Sequence, residues 1–161
     1  MDAQIMKKTT SISAFHRMLD LPSPLHPLVS VIHLNEAKLV YGEIWQHFQG
    51  EFYSIALKRD VHCKITYGQK HYDFDKGIMS FMGPKRVHSL VPEQLENAKG
   101  IVLLFHPDLL GKHPLAGAIR SYSFFHYAVD EALHLSEKEE SDITMLIEKI
   151  REESSRIDRH T

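Results

Sequence analysis

The chain carries twelve histidines in 161 residues, and imidazoles in that number make transition-metal binding the first chemistry to test. A zinc or iron site needs three or four ligands brought together, commonly with two histidines close on one strand or one helix face. Neither His-x-His nor His-Glu-x-x-His occurs. His62, His71 and His88 fall on neighbouring strand-like segments, and Asp73 or Asp75 offers a carboxylate beside them. A metal-dependent enzyme built on those three histidines is therefore the alternative reading. Scattered histidines also occur on wet strand faces, and solvated or hydrogen-bonded rings, with neither metal nor cofactor, are the expected arrangement.

Other catalytic chemistry finds less support. Asp73 and Asp75 lie two apart and would share a strand face, the arrangement that splits two carboxyl pKa values for acid–base work. Their place just before Lys76-Gly77 favours a turn-forming pair facing water instead. There is no Gly-x-Ser-x-Gly elbow and no Gly-rich phosphate loop opening a helix, and Cys63 sits in a strand pattern with no cationic activator on its own face. A non-enzyme is the expectation. What remains is a cavity, since small barrels and sandwich mouths hold ligands among inward apolar and aromatic side chains. Tyr53, Ile55, Leu57, Tyr67, Tyr72, Phe74 and Phe81 are the candidates for such a lining, with Phe105 beside them and His88 as a polar member. The same residue types also build ordinary cores.

The elements that would position these groups follow from composition and pattern. At 43% hydrophobic and 25% charged, a chain of this length folds as one domain and buries enough surface to need neither metal nor disulfide. Nineteen Lys and Arg against 21 Asp and Glu leave a net charge of −2, against the basic footprint of a free-standing nucleic-acid binder. One cysteine excludes an internal disulfide and fits a reducing cytosol. The longest apolar run, Ile101 to Phe105, is far short of the ~20 residues that span a bilayer. A cytoplasmic protein without membrane contact is expected.

Ile12, Phe15 and Leu19 stand at helical spacing behind a Ser11 cap, and Pro22, Pro24 and Pro27 forbid continuation, which predicts a short helix over 11–20. Eight runs rich in β-branched and aromatic residues follow: Leu28 to Leu34, Glu43 to Phe48, Phe52 to Lys58, Cys63 to Tyr67, His71 to Phe74, Ile78 to Met82, Val87 to Val91 and Ile101 to Phe105. Segments so short and close connect as antiparallel hairpins, because a parallel crossover takes a dozen or more residues. A sandwich or small barrel over 28–105 results. Tyr53, Ile55 and Leu57 share one strand face, whereas Ile101 to Phe105 shows no alternation and should be a central strand.

From 107 to 161 a helical part is expected. Tyr122, Phe124, Phe125 and Tyr127 are placed to hold it to the sheet. Ser136-Glu-Lys-Glu139 reads as a capping box, and Ile143, Leu146, Ile147 and Ile150 form one apolar stripe, extended by Ile157. That stripe fits a dimer seam or packing on its own barrel.

Several segments, taken in order, point further. Phe52-Tyr-Ser-Ile-Ala-Leu-Lys58, Tyr67-Gly-Gln-Lys-His-Tyr-Asp-Phe74, Gly77-Ile-Met-Ser-Phe81, Gly83-Pro84 and His88 are followed by Leu103-Leu-Phe-His-Pro-Asp-Leu109, Tyr122-Ser-Phe-Phe and Glu131-Ala-Leu-His-Leu-Ser-Glu-Lys-Glu139. In this order, from Phe15 to His160, the chain resembles the N-terminal sensor domain of AraC-type transcriptional regulators, in the variant common among Bacteroidetes-like bacteria. The resemblance implies a fold that is mainly β with flanking α: a cupin-like double-stranded β-helix, or jelly-roll barrel, followed by C-terminal helices. It also implies a small-molecule effector in the barrel, coupling to the arrangement of a homodimer, and DNA contact only through a C-terminal helix-turn-helix domain that this chain, ending at Ile157-Asp-Arg-His-Thr161, lacks. The cupin metal pattern of His-x-His, Glu and a later His is met by His88 alone, so the resemblance favours a metal-free sensor.

Overall fold

Among the described residues, most of the β-branched and aromatic runs bounded by turn residues form strands. The computed structural model describes residues 10–38, 48–59, 64–67, 70–73, 78–88, 99–125 and 133–159. Its strands are β1 (Val29–His33), β2 (Phe48–Gln49), β3 (Tyr53–Arg59), β4 (Lys64–Tyr67), β5 (Lys70–Asp73), β6 (Ile78–Met82), β7 (Val87–His88), β8 (Lys99–Phe105) and β9 (Leu133–His134). The helices are α1 (Ile12–Met18), the single turn α2 (Leu115–Ala118) and α3 (Glu137–Arg159), with short 3-10 segments between.

Among the described residues every pairing between these strands is antiparallel, and an isolated parallel bridge joins Thr10 to Gly50. Five strands form one sheet in the order β1-β8-β3-β6-β9, and β2 with β7 and β4 with β5 form two separate pairs. The pairings nest: β4 with β5, β3 with β6, β2 with β7 and β1 with β8. Such nesting is that of one long hairpin ribbon, bent so that β3 also pairs with β8. The register sets Ala56 opposite Val102 and Leu57 opposite Ile101.

β8 lies between β1 and β3, and Ile101 to Phe105 are all buried. Its lack of alternation is thus explained by cover on both faces. On one face Ile32, Ala56, Val102 and Leu104 pack with Ile12, Phe15 and Leu19 of the α1 region. On the other, Val29, Tyr53, Leu57, Ile101, Leu103 and Phe105 meet Ile119, Phe125 and Ile147 from the C-terminal part. Gly100 enters this strand at φ +142° so close to β3 that a Cβ would stand 2.1 Å from the Leu57 carbonyl oxygen.

α1 starts where Ser11 Oγ accepts the Ala14 N–H at 3.1 Å, and its apolar residues at helical spacing face the sheet. Phe15 reaches Phe52, ring centroids 5.6 Å apart. His16 is buried with them. Its Nδ1 lies 2.8 Å from the Pro22 carbonyl oxygen and its Nε2 2.6 Å from Ser30 Oγ. A carbonyl only accepts, so the neutral ring carries its proton on Nδ1 and Nε2 accepts from the serine. Burial pushes the His16 pKa below the ordinary 6.5, partly offset by the bond to Pro22. Between the lowered value and 6.5 the unfolded chain binds more protons than the folded one, so stability declines as pH falls through that window and the penalty vanishes above it. Urea unfolding across this range should show the decline in the wild type and a flatter profile in His16→Gln; equal slopes in the two proteins would refute the assignment.

α3 begins with the reciprocal pair expected of its sequence: Glu139 N–H donates to Ser136 Oγ at 3.2 Å and Ser136 N–H to Glu139 Oε2 at 3.1 Å. The helix lies against the sheet through Ile147, 4% exposed, with Ile143 half-buried beside it. Leu146 is 58% exposed, and Met145 and Ile150 are exposed with it. Glu148 Oε1 lies 2.7 Å from His33 Nε2 of β1, in an alignment outside hydrogen-bond geometry. Among the described residues no helix is long and apolar enough to cross a membrane.

Candidate functional site

Two clefts open where the helical part meets the sheet. The first, about 280 Å³, lies between Tyr53 of β3 and the irregular segment 107–120, which supplies Leu110, Ala116, Ile119, Asp108 and Arg120. The second, about 400 Å³, runs along β1 between Pro22–Leu25 and the C-terminal half of α3, with Glu36, Glu148, Arg151 and Glu152 on its walls. β1 is an edge strand, and this groove follows it from Val29 to His33.

The first cleft is shaped by a local device that also accounts for part of the histidine surplus. Pro107 and Pro114 each follow a histidine, and the residue after the proline donates its N–H back: Asp108 N–H to His106 Nδ1 and Leu115 N–H to His113 Nδ1, each at 3.0 Å. His26-Pro27-Leu28 repeats it, Leu28 N–H donating to His26 Nδ1 at 3.0 Å. Proline holds the histidine extended and offers no N–H of its own, so the imidazole nitrogen satisfies the next donor as an Asx side chain would. The signal, three His-Pro pairs, stood in the sequence, and a search for ligand spacing passes over it. His106 also has Asp108 Oδ2 3.6 Å from the same nitrogen. His113→Ala should lower stability by about 1 kcal/mol, read from urea unfolding, whereas His113→Asn, which retains an acceptor, should lose less than half of that. Equal losses would contradict the capping role.

The residues singled out from the sequence fall in different places. Tyr53 lines the first cleft, its ring stacked on Phe105 at 5.0 Å and meeting Phe125 edge-on at 4.8 Å. Leu57, fully buried, lies deep in the same cluster, with Ile55 and Phe81 half-buried against it. These four share the sheet face that packs on the C-terminal part. Phe125 also meets Phe81 edge-on at 5.6 Å, so it ties segment 119–125 to the sheet; Tyr122 is 38% exposed. Tyr67 and Tyr72 are on the β4–β5 pair and His88 on β7, but their side chains lie outside the described residues, as do those of His71, Asp73, Phe124 and Ile157. His62, Cys63, Phe74, Asp75 and Tyr127 lie outside the described residues altogether. Among the described residues no group of three His, Cys, Asp or Glu is placed to hold a metal ion. Of the apolar stripe on α3, Ile147 and Ile143 meet the chain's own sheet and Leu146 and Ile150 face outward.

Comparison with protein families, with curated proteins and with solved structures finds no match to this chain.

Proposed function

We propose that this chain is the regulatory sensor domain of an AraC-type transcriptional regulator, a non-enzymatic cytoplasmic module whose strands roll into a cupin-like jelly-roll barrel. The nested strand pairing carries the reading. Strands paired β1·β8, β2·β7, β3·β6 and β4·β5, with β1-β8-β3-β6 side by side, support this reading, because a hairpin wound into a two-sheet roll would pair its strands in that order. A small molecule held by the strands would favour one placement of α3 over another, and only that difference in affinity could move the equilibrium. The outward Leu146 and Ile150 would then meet a second copy, and DNA would be reached through a further domain.

A thermal-shift screen with sugars, aromatic acids and fatty acids tests the reading, because a molecule that binds only the folded state raises its melting point. At least one class should do so, with metal content well below stoichiometric in the purified protein. About one equivalent of tightly held transition metal, lost in His88→Ala, would replace the sensor by a cupin enzyme using His62, His71 and His88.

A further inference from the structure

We propose that the open edge of β1 binds an extended segment of a partner protein, in which lysine or arginine alternates with apolar residues, as one added strand. The inference goes beyond the sensor reading and does not rest on it. β1 ends the five-stranded sheet and, among the described residues, pairs with β8 alone. The His106 N–H donates to the Leu28 carbonyl at 2.8 Å, one step before Val29 meets Phe105. By the alternation of an antiparallel ladder, Ser30 and Ile32 then bond to β8, and the N–H and C=O groups of Val29, Val31 and His33 turn outward. Among the described residues no strand or turn takes these outward groups. They face the groove of about 400 Å³ that follows β1 between Pro22–Leu25 and α3. A row of unmade backbone bonds beside an open channel is what strand addition uses.

The walls decide the occupant. Side chains of an added strand alternate between the two faces of the sheet. On the face shared by Val29 and Ile147, α3 brings Glu148, Arg151 and Glu152 to the groove. On the face of Ser30, whose hydroxyl meets His16, stand Pro22, Pro24 and the exposed Leu25. Arg151 Nη1 lies 3.7 Å from Glu148 Oε2, so these two charges offset each other. Glu152, and Glu36 just beyond β1 in the chain, are both exposed, and among the described residues neither carboxylate has an ion-pair or hydrogen-bond partner. A strand that is basic on one face and apolar on the other fits both walls. A second copy of this chain, pairing through the same edge, would set these carboxylates against their own counterparts.

Fluorescence anisotropy of the full chain with a labelled peptide, acetyl-Leu-Lys-Val-Lys-Leu-Lys-Val-amide, tests the proposal. Saturable binding is expected, at least about tenfold weaker for the peptide with glutamate in place of each lysine. N-methylation of one alternate set of peptide amides should abolish binding, and methylation of the other set should not, because only one edge of an added strand faces β1. Glu36→Gln and Glu152→Gln, both surface changes, should each weaken binding about two- to fivefold, and together by the product of the two. No saturable binding, a glutamate peptide that binds as tightly, equal binding of the two methylated peptides, or unchanged affinity in the double variant would overturn the assignment. Concentration-dependent pairing of Leu146→Asp that strengthens when Glu36→Gln and Glu152→Gln are added would give the edge to a second copy instead. The barrel reading is untouched by any of these results, because its small molecules are sought by the thermal-shift screen.

Discussion

Gly100→Ala lowers the stability of this protein by at least about 3 kcal/mol, the largest loss expected of any single methyl group added to the described chain. Two costs act together. The residue is held at φ +142°, where an L side chain is strained by about 1–3 kcal/mol. The new Cβ would also lie 2.1 Å from the Leu57 carbonyl oxygen and 3.0 Å from Lys58 Cα. Both are backbone atoms of the strand paired with β8, so neither can swing aside as a side-chain tip would. Relief requires separating β3 from β8 at the Lys58–Gly100 pair. For a domain of this size the loss corresponds to a fall in melting temperature of about 6–12 °C. Gly117→Ala provides the comparison, since nothing lies within 4 Å of its Cβ position and alanine suits a helix better by about 1 kcal/mol. Calorimetry on the two variants should therefore give shifts of opposite sign. A melting point for Gly100→Ala within a degree or so of the wild type would show that the β3–β8 register at this end is wrong.

The second large effect separates the two sides of α3. Ile147→Asp places a carboxylate in the apolar cluster of Val29, Leu103 and Phe105 and should cost more than about 3 kcal/mol. Leu146→Asp, one residue earlier on an exposed position, should leave the unfolding free energy of the isolated chain within about 0.5 kcal/mol of the wild type. Chemical denaturation at low protein concentration reads this contrast. Repeated at high concentration, it also reports pairing: if Leu146 and Ile150 meet a second copy, wild-type stability rises with concentration and that of Leu146→Asp does not. Equal losses in the two variants at low concentration would mean that α3 is rotated from the orientation described.

Much of this was legible in the sequence because it is local. Ser11 and the Ser136–Glu139 box specify helix starts through hydrogen bonds spanning three residues, and both form. β1, β3, β6 and β8 fall on their apolar runs because turn residues fence them, whereas most of the runs Glu43 to Phe48 and Val87 to Val91 lies outside the described residues; Ile101 to Phe105 announced its central place by having no polar side. β9 was missed: two residues, Leu133 and His134, carry no pattern and pair only because β6 offers an edge at Ile78 and Met79.

The site was harder to read for a physical reason. Alternation on β3 groups Tyr53 with Ile55 and Leu57, but it cannot say which side of the sheet that group faces, since both sides are covered by apolar elements. The cleft beside Tyr53 arises from the path of 107–120, which has no periodicity and is held by His-Pro caps. Likewise the stripe on α3 is wider than one contact can use, so sequence alone does not divide Ile147 from Leu146.

Sedimentation velocity on the wild type and on Leu146→Asp, each with and without a sugar, aromatic acid or fatty acid that raises the melting point, tests the sensor account most directly. The account predicts that the compound changes the monomer–dimer distribution of the wild type and leaves Leu146→Asp monomeric, while stabilising both proteins against heat. A compound that stabilises both proteins without altering the wild-type distribution would contradict it, for the strands would then bind a molecule that the helix does not report.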